Sequence, residues 1–172
     1  MDLLGPPKIT YVSDNQTAND GDKVILNCTA DGNPPPSITW TRLASNRRVT
    51  FPLAVSKSDE GGYRCTADNG FAIEIRDVFI TVQYAAKVEA VTPVISQSWI
   101  GQPVTFTCKA DGTPTPTLSW KNPSGKVIKQ VIDLINTVDV LMISDQDFGN
   151  YTCEATNAVN TDTSTVQLQQ IS

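Results

Sequence analysis

The stretch that decides the fold occurs twice, as CTADGNPPPSITW at residues 28–40 and as CKADGTPTPTLSW at residues 108–120. In each copy a cysteine precedes Ala-Asp-Gly, then Gly-x-Pro-x-Pro, then an apolar residue and a tryptophan twelve positions after the cysteine. The two copies stand 80 residues apart. Self-similarity at this spacing indicates that one structural unit is present twice.

A second repeated pattern lies further along each copy. Asp-x-Gly-x-Tyr-x-Cys occurs at residues 59–65 and 147–153, now 88 residues apart. The first copy is therefore eight residues shorter between its tryptophan and its second cysteine. The segments around these motifs are short and rich in β-branched and aromatic residues, with turn residues between them and no apolar stripe of helical period. This pattern predicts strands.

Composition narrows the function classes. The chain has 172 residues, 40% of them hydrophobic, which suffices for one large core or two compact ones. Its net charge of -5 argues against nucleic acid and anionic membrane as partners. It has no histidine, which excludes the Ser-His-Asp triad, imidazole bases and His-ligated metals.

The sequence also bears on targeting. No apolar run is long enough to cross a bilayer, so we expect no membrane insertion. Residues 1–7 lack the basic region of a secretory signal. An exported protein would therefore be represented here by an excised mature segment.

The four cysteines stand 37, 43 and 45 residues apart, with no Cys-x-x-Cys pair. Zinc and redox sites favour close pairs of cysteines. This spacing therefore favours two disulfides, each closing a long loop, rather than four buried free thiols. Such bonds indicate an oxidising, extracellular compartment. The acidic clusters at residues 19–22 and 145–147 do not follow the calcium-loop pattern and coincide with expected turns. We expect no metal and no cofactor.

The Cys…Trp…Cys frame, with a tyrosine two residues before the second cysteine, resembles immunoglobulin-superfamily domains of the I-set or C2 type. Similar arrays occur in ectodomains of the neural cell adhesion molecule, Dscam and hemicentin kind. The resemblance implies an all-β chain of two tandem β-sandwiches, residues 1–84 and 85–172, arranged end to end. It also implies one disulfide per domain, a tryptophan packed on each and a tyrosine corner beside it. The residues concerned are Cys28 with Cys65, Cys108 with Cys153, Trp40, Trp120, Tyr63 and Tyr151.

The first domain departs from this pattern in length. Only 25 residues lead from Trp40 to Cys65, against 33 in the second domain. We expect strand C to run almost directly into strand E, with C′ or D missing and a barer sheet edge.

Three glycosylation sequons begin at Asn15, Asn27 and Asn150, whereas Asn122 is followed by proline. Because side chains alternate along a strand, Asn27 should point out of the B-strand sheet of domain 1. By the same rule Asn150 should point out of the CFG face of domain 2. Glycans there would leave the CFG face of domain 1 open.

Alternation also predicts that Phe79 of strand G faces solvent, where domain 2 carries Gln167. Thr39, Thr41 and Arg64 should lie beside it, in a contact patch of apolar and arginine side chains. The alternative is that neighbours cover Phe79. Trp99, just before strand B of domain 2, is a second candidate contact, or else a locally packed residue.

These features predict an extracellular cell-adhesion or recognition module, either the ectodomain of a membrane protein or a secreted matrix protein. It would bind another surface or matrix protein non-covalently, a second copy of itself included, and it would not be an enzyme. One alternative is a ligand-binding ectodomain fragment of a receptor tyrosine kinase. Another is a structural I-set spacer of a matrix or sarcomeric protein.

Overall fold

The computed structural model describes residues 4–94 and 96–172, leaving out the side chain of Ser96. The chain divides into unit 1, Met1–Gln83, and unit 2, Tyr84–Ser172. The strands of unit 1 are β1 Gly5–Val12, β2 Gln16–Asn19, β3 Lys23–Val24, β4 Cys28–Asn33, β5 Ser37–Arg42, β6 Arg47–Arg48, β7 Leu53–Ala54 and β8 Gly61–Asp68. The next strand, β9 Ile73–Thr92, contributes to both units.

The remaining strands belong to unit 2. They are β10 Ser96–Ser98, β11 Pro103–Thr113, β12 Thr117–Lys121, β13 Val127–Ile132, β14 Ile135–Leu141, β15 Gly149–Thr156 and β16 Thr161–Gln170. The helical segments of the described residues are two 3-10 turns, Lys57–Asp59 and Asp145–Asp147. Each turn lies just before the strand that carries the second cysteine of its unit.

Each unit has a larger and a smaller sheet. In unit 1 the larger sheet has the strand order β2, β9, β8, β5, β6, and β1 pairs with β4 on the other side of the core. In unit 2 the larger sheet has the order β10, β16, β15, β12, β13, opposite β9, β11 and β14. Two immunoglobulin-like sandwiches in tandem are therefore confirmed.

The buried centre of each unit is built around a disulfide. Cys28 is bonded to Cys65 and Cys108 to Cys153, with Cα separations of 6.5 and 6.3 Å. In unit 2 the Trp120 ring lies 5.5 Å from that of Phe106. Strands β8 and β15 bury every second residue, as expected for strands with one face on the core.

A tyrosine hydroxyl closes the turn before the second cysteine in both units. Tyr63 Oη donates to the backbone oxygen of Asp59, and Tyr151 Oη donates to that of Asp147 at 2.6 Å. In unit 1 Arg42 adds an ion pair with Asp59 and donates to Tyr63 Oη at 3.0 Å.

This ion pair shifts the ionisation of its members. Partial burial alone would raise the pKa of Asp59, but the Ser56 backbone N–H and the Arg42 guanidinium outweigh burial and hold that pKa below its ordinary value. Unit 2 has no arginine, and there Asp147 accepts the backbone N–H of Ser144, the counterpart of Ser56, and also that of Ile143.

The structure shows how the shortening of unit 1 is distributed over its strands. The C′ strand is present as β6, although it has two residues where β13 has six. The larger loss is in strand E, because β7 has two residues and β14 has seven. The eight residues that unit 1 lacks are thus taken from both C′ and E. The shortened chain crosses from one sheet to the other within residues 49–52, so neither strand can reach its full length.

Strand B of unit 1 is interrupted as a consequence. The sequence predicts one strand over residues 24–28, but the ladder between β3 and β7 consists of two residue pairs, Lys23 with Ala54 and Val24 with Leu53. Residues 25–27 are not in a strand. Strand β11 of unit 2 instead pairs with β14 over seven positions, from Pro103 to Lys109.

Candidate protein-binding face

The outward face of the larger sheet of unit 1 is formed by three neighbouring antiparallel strands, β5, β8 and β9. Tyr63 and Cys65 are buried on β8, so Arg64 between them points outward. On β9, Val78 and Ile80 are buried and Phe79 points outward. In the lettering of immunoglobulin strands, β5, β8 and β9 are strands C, F and G, and we call this outward surface the CFG face of unit 1.

Arg64 lies at the middle of this face. Its neighbours across the strands are Thr41 on β5 and Asp77 on β9. The guanidinium is bidentate on the carboxylate, with Nε 2.9 Å from Oδ1 and Nη2 3.1 Å from Oδ2 of Asp77. This hydrogen bond holds the pKa of Asp77 below and that of Arg64 above its ordinary value.

The pairing changes the predicted patch. The sequence predicts Arg64 beside Phe79 but gives no indication of a partner for its guanidinium. The structure places Phe79 opposite Gly62, one row further along, and neutralises Arg64 by Asp77. The pair is therefore a flat, fixed group of donors and acceptors rather than a net positive charge.

Phe79 is 46% exposed, so its own neighbours do not cover it. One reason is Gly62 opposite, which has no side chain to lay against the ring. A Cβ at Gly62 would come 2.7 Å from Leu43 Cδ1, so Leu43 already occupies the space that a larger residue would need. The backbone N–H of Phe79 donates to Asn15 Oδ1 at 2.9 Å, which fixes the strand here.

Two more apolar side chains continue the face along β9. Ile75 and Ile73 are exposed and have the same parity as Phe79. In the ladder Ile75 lies opposite Thr66, which in turn lies opposite Thr39 of β5. Neither isoleucine was among the predicted contact residues, although side-chain alternation backwards from Phe79 places both on this face.

The corresponding face of unit 2 is polar. With the offset of 88, Ile73, Ile75 and Phe79 correspond to Thr161, Thr163 and Gln167. Gly62 corresponds to the sequon residue Asn150, which lies opposite Gln167 in the ladder. The exposed apolar stripe thus belongs to unit 1, whereas unit 2 has threonines and a candidate glycan site at the equivalent positions.

All three sequon asparagines are exposed: Asn15, Asn27 and Asn150. Asn15 lies at the edge of the CFG face, where it accepts the backbone N–H of Phe79, a position that was not predicted. A glycan there would border the aromatic ring.

Trp99 belongs to unit 2 and is not part of this face. It is half exposed, next to the similarly exposed Ile100, in the turn before β11. Its backbone oxygen accepts the N–H of Gln102 at 3.2 Å. A role for Trp99 in contacts stays a prediction.

Among residues 4–94 and 96–172, no group of histidine, cysteine, aspartate or glutamate side chains is arranged to hold a metal ion. Over the same residues no helix has the length and apolar character needed to cross a membrane.

Comparison with known proteins agrees with the fold. The family model for the immunoglobulin domain matches residues 6–69 and 90–157. These matches cover more than half of the chain, so the chain belongs to the immunoglobulin domain family.

Curated relatives include neural cell adhesion molecule 1-B of Xenopus laevis, 31% identical over 99% of this chain and 18% of the relative. The limbic system-associated membrane protein of Rattus norvegicus is 28% identical over 88% of this chain and 48% of the relative. The chain thus spans less than half the length of either protein. Their names describe a cell adhesion molecule and a membrane protein.

Among solved structures, DIP-gamma IG1+IG2 superposes with a TM-score of 0.79 at 20% identity, covering 99% of this chain and all of that one. The four N-terminal domains of Dscam1 isoform 6.9 give a TM-score of 0.72 at 21% identity, covering 99% of this chain and 48% of that one. At these identities the likeness establishes the fold alone.

Proposed function

We propose that this chain is an extracellular recognition module, not an enzyme, and that the CFG face of unit 1 binds a second copy of the same protein. The observation that carries the proposal is the exposed stripe of Ile73, Ile75 and Phe79 beside a neutralised Arg64–Asp77 pair. Aromatic residues, phenylalanine included, and arginine are enriched in protein–protein interfaces relative to the rest of the surface.

The chemistry of the face suits self-association. A two-fold interface needs one surface that complements itself. Apolar side chains satisfy this condition, because they pack on one another without unpaired charge. Arg64 and Asp77 place a hydrogen-bond donor and an acceptor side by side. In a two-fold dimer the guanidinium of one copy can therefore face the carboxylate of the other.

Two observations support an extracellular site of action. Both disulfides are formed, as expected in an oxidising compartment. The adhesion molecules to which the chain is similar also act at the cell surface. Weak contacts of this kind would gain strength from many copies on opposing surfaces.

Sedimentation of the glycosylated chain tests the proposal. We expect a concentration-dependent dimer, weakened about tenfold or more by Phe79→Asp, because a buried carboxylate would replace an aromatic anchor. Gln167→Asp, at the corresponding position of unit 2, is the matched control and should leave dimerisation unchanged. Asn15→Gln measures whether a glycan beside Phe79 restricts the contact.

A wild-type chain that stays monomeric up to about 1 mM would contradict self-binding. If Gln167→Asp weakened dimerisation as much as Phe79→Asp does, the contact would not be specific to the CFG face of unit 1. A circular dichroism spectrum of Phe79→Asp identical to that of wild type ensures that lost dimerisation is not lost folding.

A further inference from the structure

A groove of about 410 Å³ opens in unit 1 where strand E is cut short. It lies between residues 25–27 of the interrupted strand B, residues 38–40 of β5 and the connection 48–51. The corresponding place in unit 2 is filled by β14, which pairs with β11 along its whole length. The groove of unit 1 therefore lies where unit 2 has the greater part of its strand E.

One residue of strand B that lines this groove, Leu26, has an unpartnered backbone among the residues described. Within residues 4–94 and 96–172, neither the N–H nor the C=O of Leu26 forms a hydrogen bond. Its counterpart Phe106 is paired with Val138 of β14. Strand β4, which follows, pairs with β1 on one side and has no strand on the other among the described residues. An unpaired edge of this kind accepts an added strand.

Core side chains are uncovered at the same place. Ile38 is 37% exposed, whereas its counterpart Leu118 is fully buried. Trp120 Nε1 donates to the backbone oxygen of Asn136 in β14 at 3.0 Å. The Trp40 indole N–H has no such acceptor in the part of the chain that the structure describes. A strand in the groove would supply one and would cover Ile38.

The charge of the groove narrows the occupant. Arg48 lines it, and Arg47 and Arg48 line an adjoining depression. Neither arginine forms an ion pair with the residues described. We propose that this edge binds an extended acidic segment of a partner protein, with alternating apolar residues, which pairs with strand B where strand E has been shortened. This site goes beyond the proposed function, because it uses a different edge of unit 1.

Unit 2 provides the probe. The peptide INTVDVL, residues 135–141, is the strand that fills the equivalent space and carries one carboxylate. We expect it to bind the glycosylated chain saturably in calorimetry and to shift the Trp40 indole resonance. Methylation of the backbone nitrogens that face strand B should weaken binding about tenfold or more, since each lost hydrogen bond is worth about 1 kcal/mol. Replacing the peptide's aspartate by lysine should weaken binding as well.

Variants of the chain locate the site. Replacing residues 47–54 by residues 127–142 restores full C′ and E strands and should abolish peptide binding. Ile38→Asp should weaken binding about tenfold, while Ile73→Asp, exposed on the CFG face, should bind as wild type does. Phe79→Asp should also bind the peptide normally, which separates this proposal from dimerisation.

Several outcomes would overturn the proposal. One is that the peptide shows no saturable binding up to about 1 mM. Another is that the peptide binds the segment-exchange variant as well as it binds wild type, or that the methylated peptide binds as well as the unmodified one. Binding that appears only in Asn27→Gln would show that a glycan on Asn27, which lines the groove, is the occupant. A wild-type dimer that the segment exchange dissociates would assign the edge to a second copy.

Discussion

Single residues set how unit 2 responds to alkaline pH. Burial, together with the nearby Asp147 carboxylate, raises the pKa of Tyr151 to about 12. An unfolded tyrosine ionises near pH 10. Below pH 10 both states keep the proton, so stability is unaffected. Between pH 10 and 12 the unfolded chain releases the proton while the folded chain retains it, and the free energy of unfolding must fall as pH rises.

We therefore expect the unfolding midpoint of unit 2, followed by the Trp120 indole resonance, to decline from pH 10 to 12. Tyr151→Phe removes this group and should flatten the decline, at a cost of about 1 kcal/mol at neutral pH for the lost hydrogen bond to Asp147. Tyr11→Phe, at an exposed site, is the control. Equal slopes in wild type and Tyr151→Phe would contradict this assignment.

At the scale of elements, the shortened strand E should make strand B of unit 1 locally labile. Leu26 has no hydrogen-bonded strand partner, whereas Phe106 lies within a seven-pair ladder. We expect the Leu26 amide to exchange with solvent on the order of a hundredfold faster than that of Phe106 in native-state hydrogen exchange. The Trp40 indole should likewise exchange faster than that of Trp120, which is bonded to Asn136. Similar protection of Leu26 and Phe106 would mean that another group closes this edge.

The same element shows where sequence reasoning succeeds and where it stops. The fixed spacings of cysteine, tryptophan and tyrosine resemble those of immunoglobulin-superfamily domains, and this resemblance predicts two sandwiches with one disulfide each. The eight-residue difference predicts a missing strand portion, but which strand shortens depends on where the chain can cross between sheets. Local patterns do not contain that information.

For the candidate face, the sequence predicts which side chains point outward but not which of them meet across the strands. Alternation gives the outward direction of Phe79, Ile75 and Ile73 from residues 78 and 80 alone. Cross-strand register is needed to see that Arg64 meets Asp77 and that Phe79 meets Gly62. Register depends on the turns and on the whole ladder, so the sequence could not pair these residues.

For the whole molecule, the decisive feature is that each unit has its own core. One cluster of buried residues surrounds Trp40 and Tyr63, and a separate cluster surrounds Trp120 and Tyr151. The Cys28–Cys65 bridge closes a loop with a sequence separation of 37 residues. In the chain-entropy account such a bridge contributes about 4 kcal/mol, a large part of the roughly 5 to 15 kcal/mol that stabilises a small domain.

Replacing both Cys28 and Cys65 by alanine should therefore unfold unit 1 near body temperature and leave unit 2 folded. Unit 1 is the more sensitive of the two, because its strand E is shorter and Ile38 is exposed where its counterpart Leu118 is buried. In nuclear magnetic resonance spectra the Trp40 indole signal should move to its unfolded position, while that of Trp120 should stay. The matched variant, with Cys108 and Cys153 replaced, should show the reverse. If both signals collapse in either variant, the two cores are energetically one, and the description of the chain as two independently stable sandwiches is wrong.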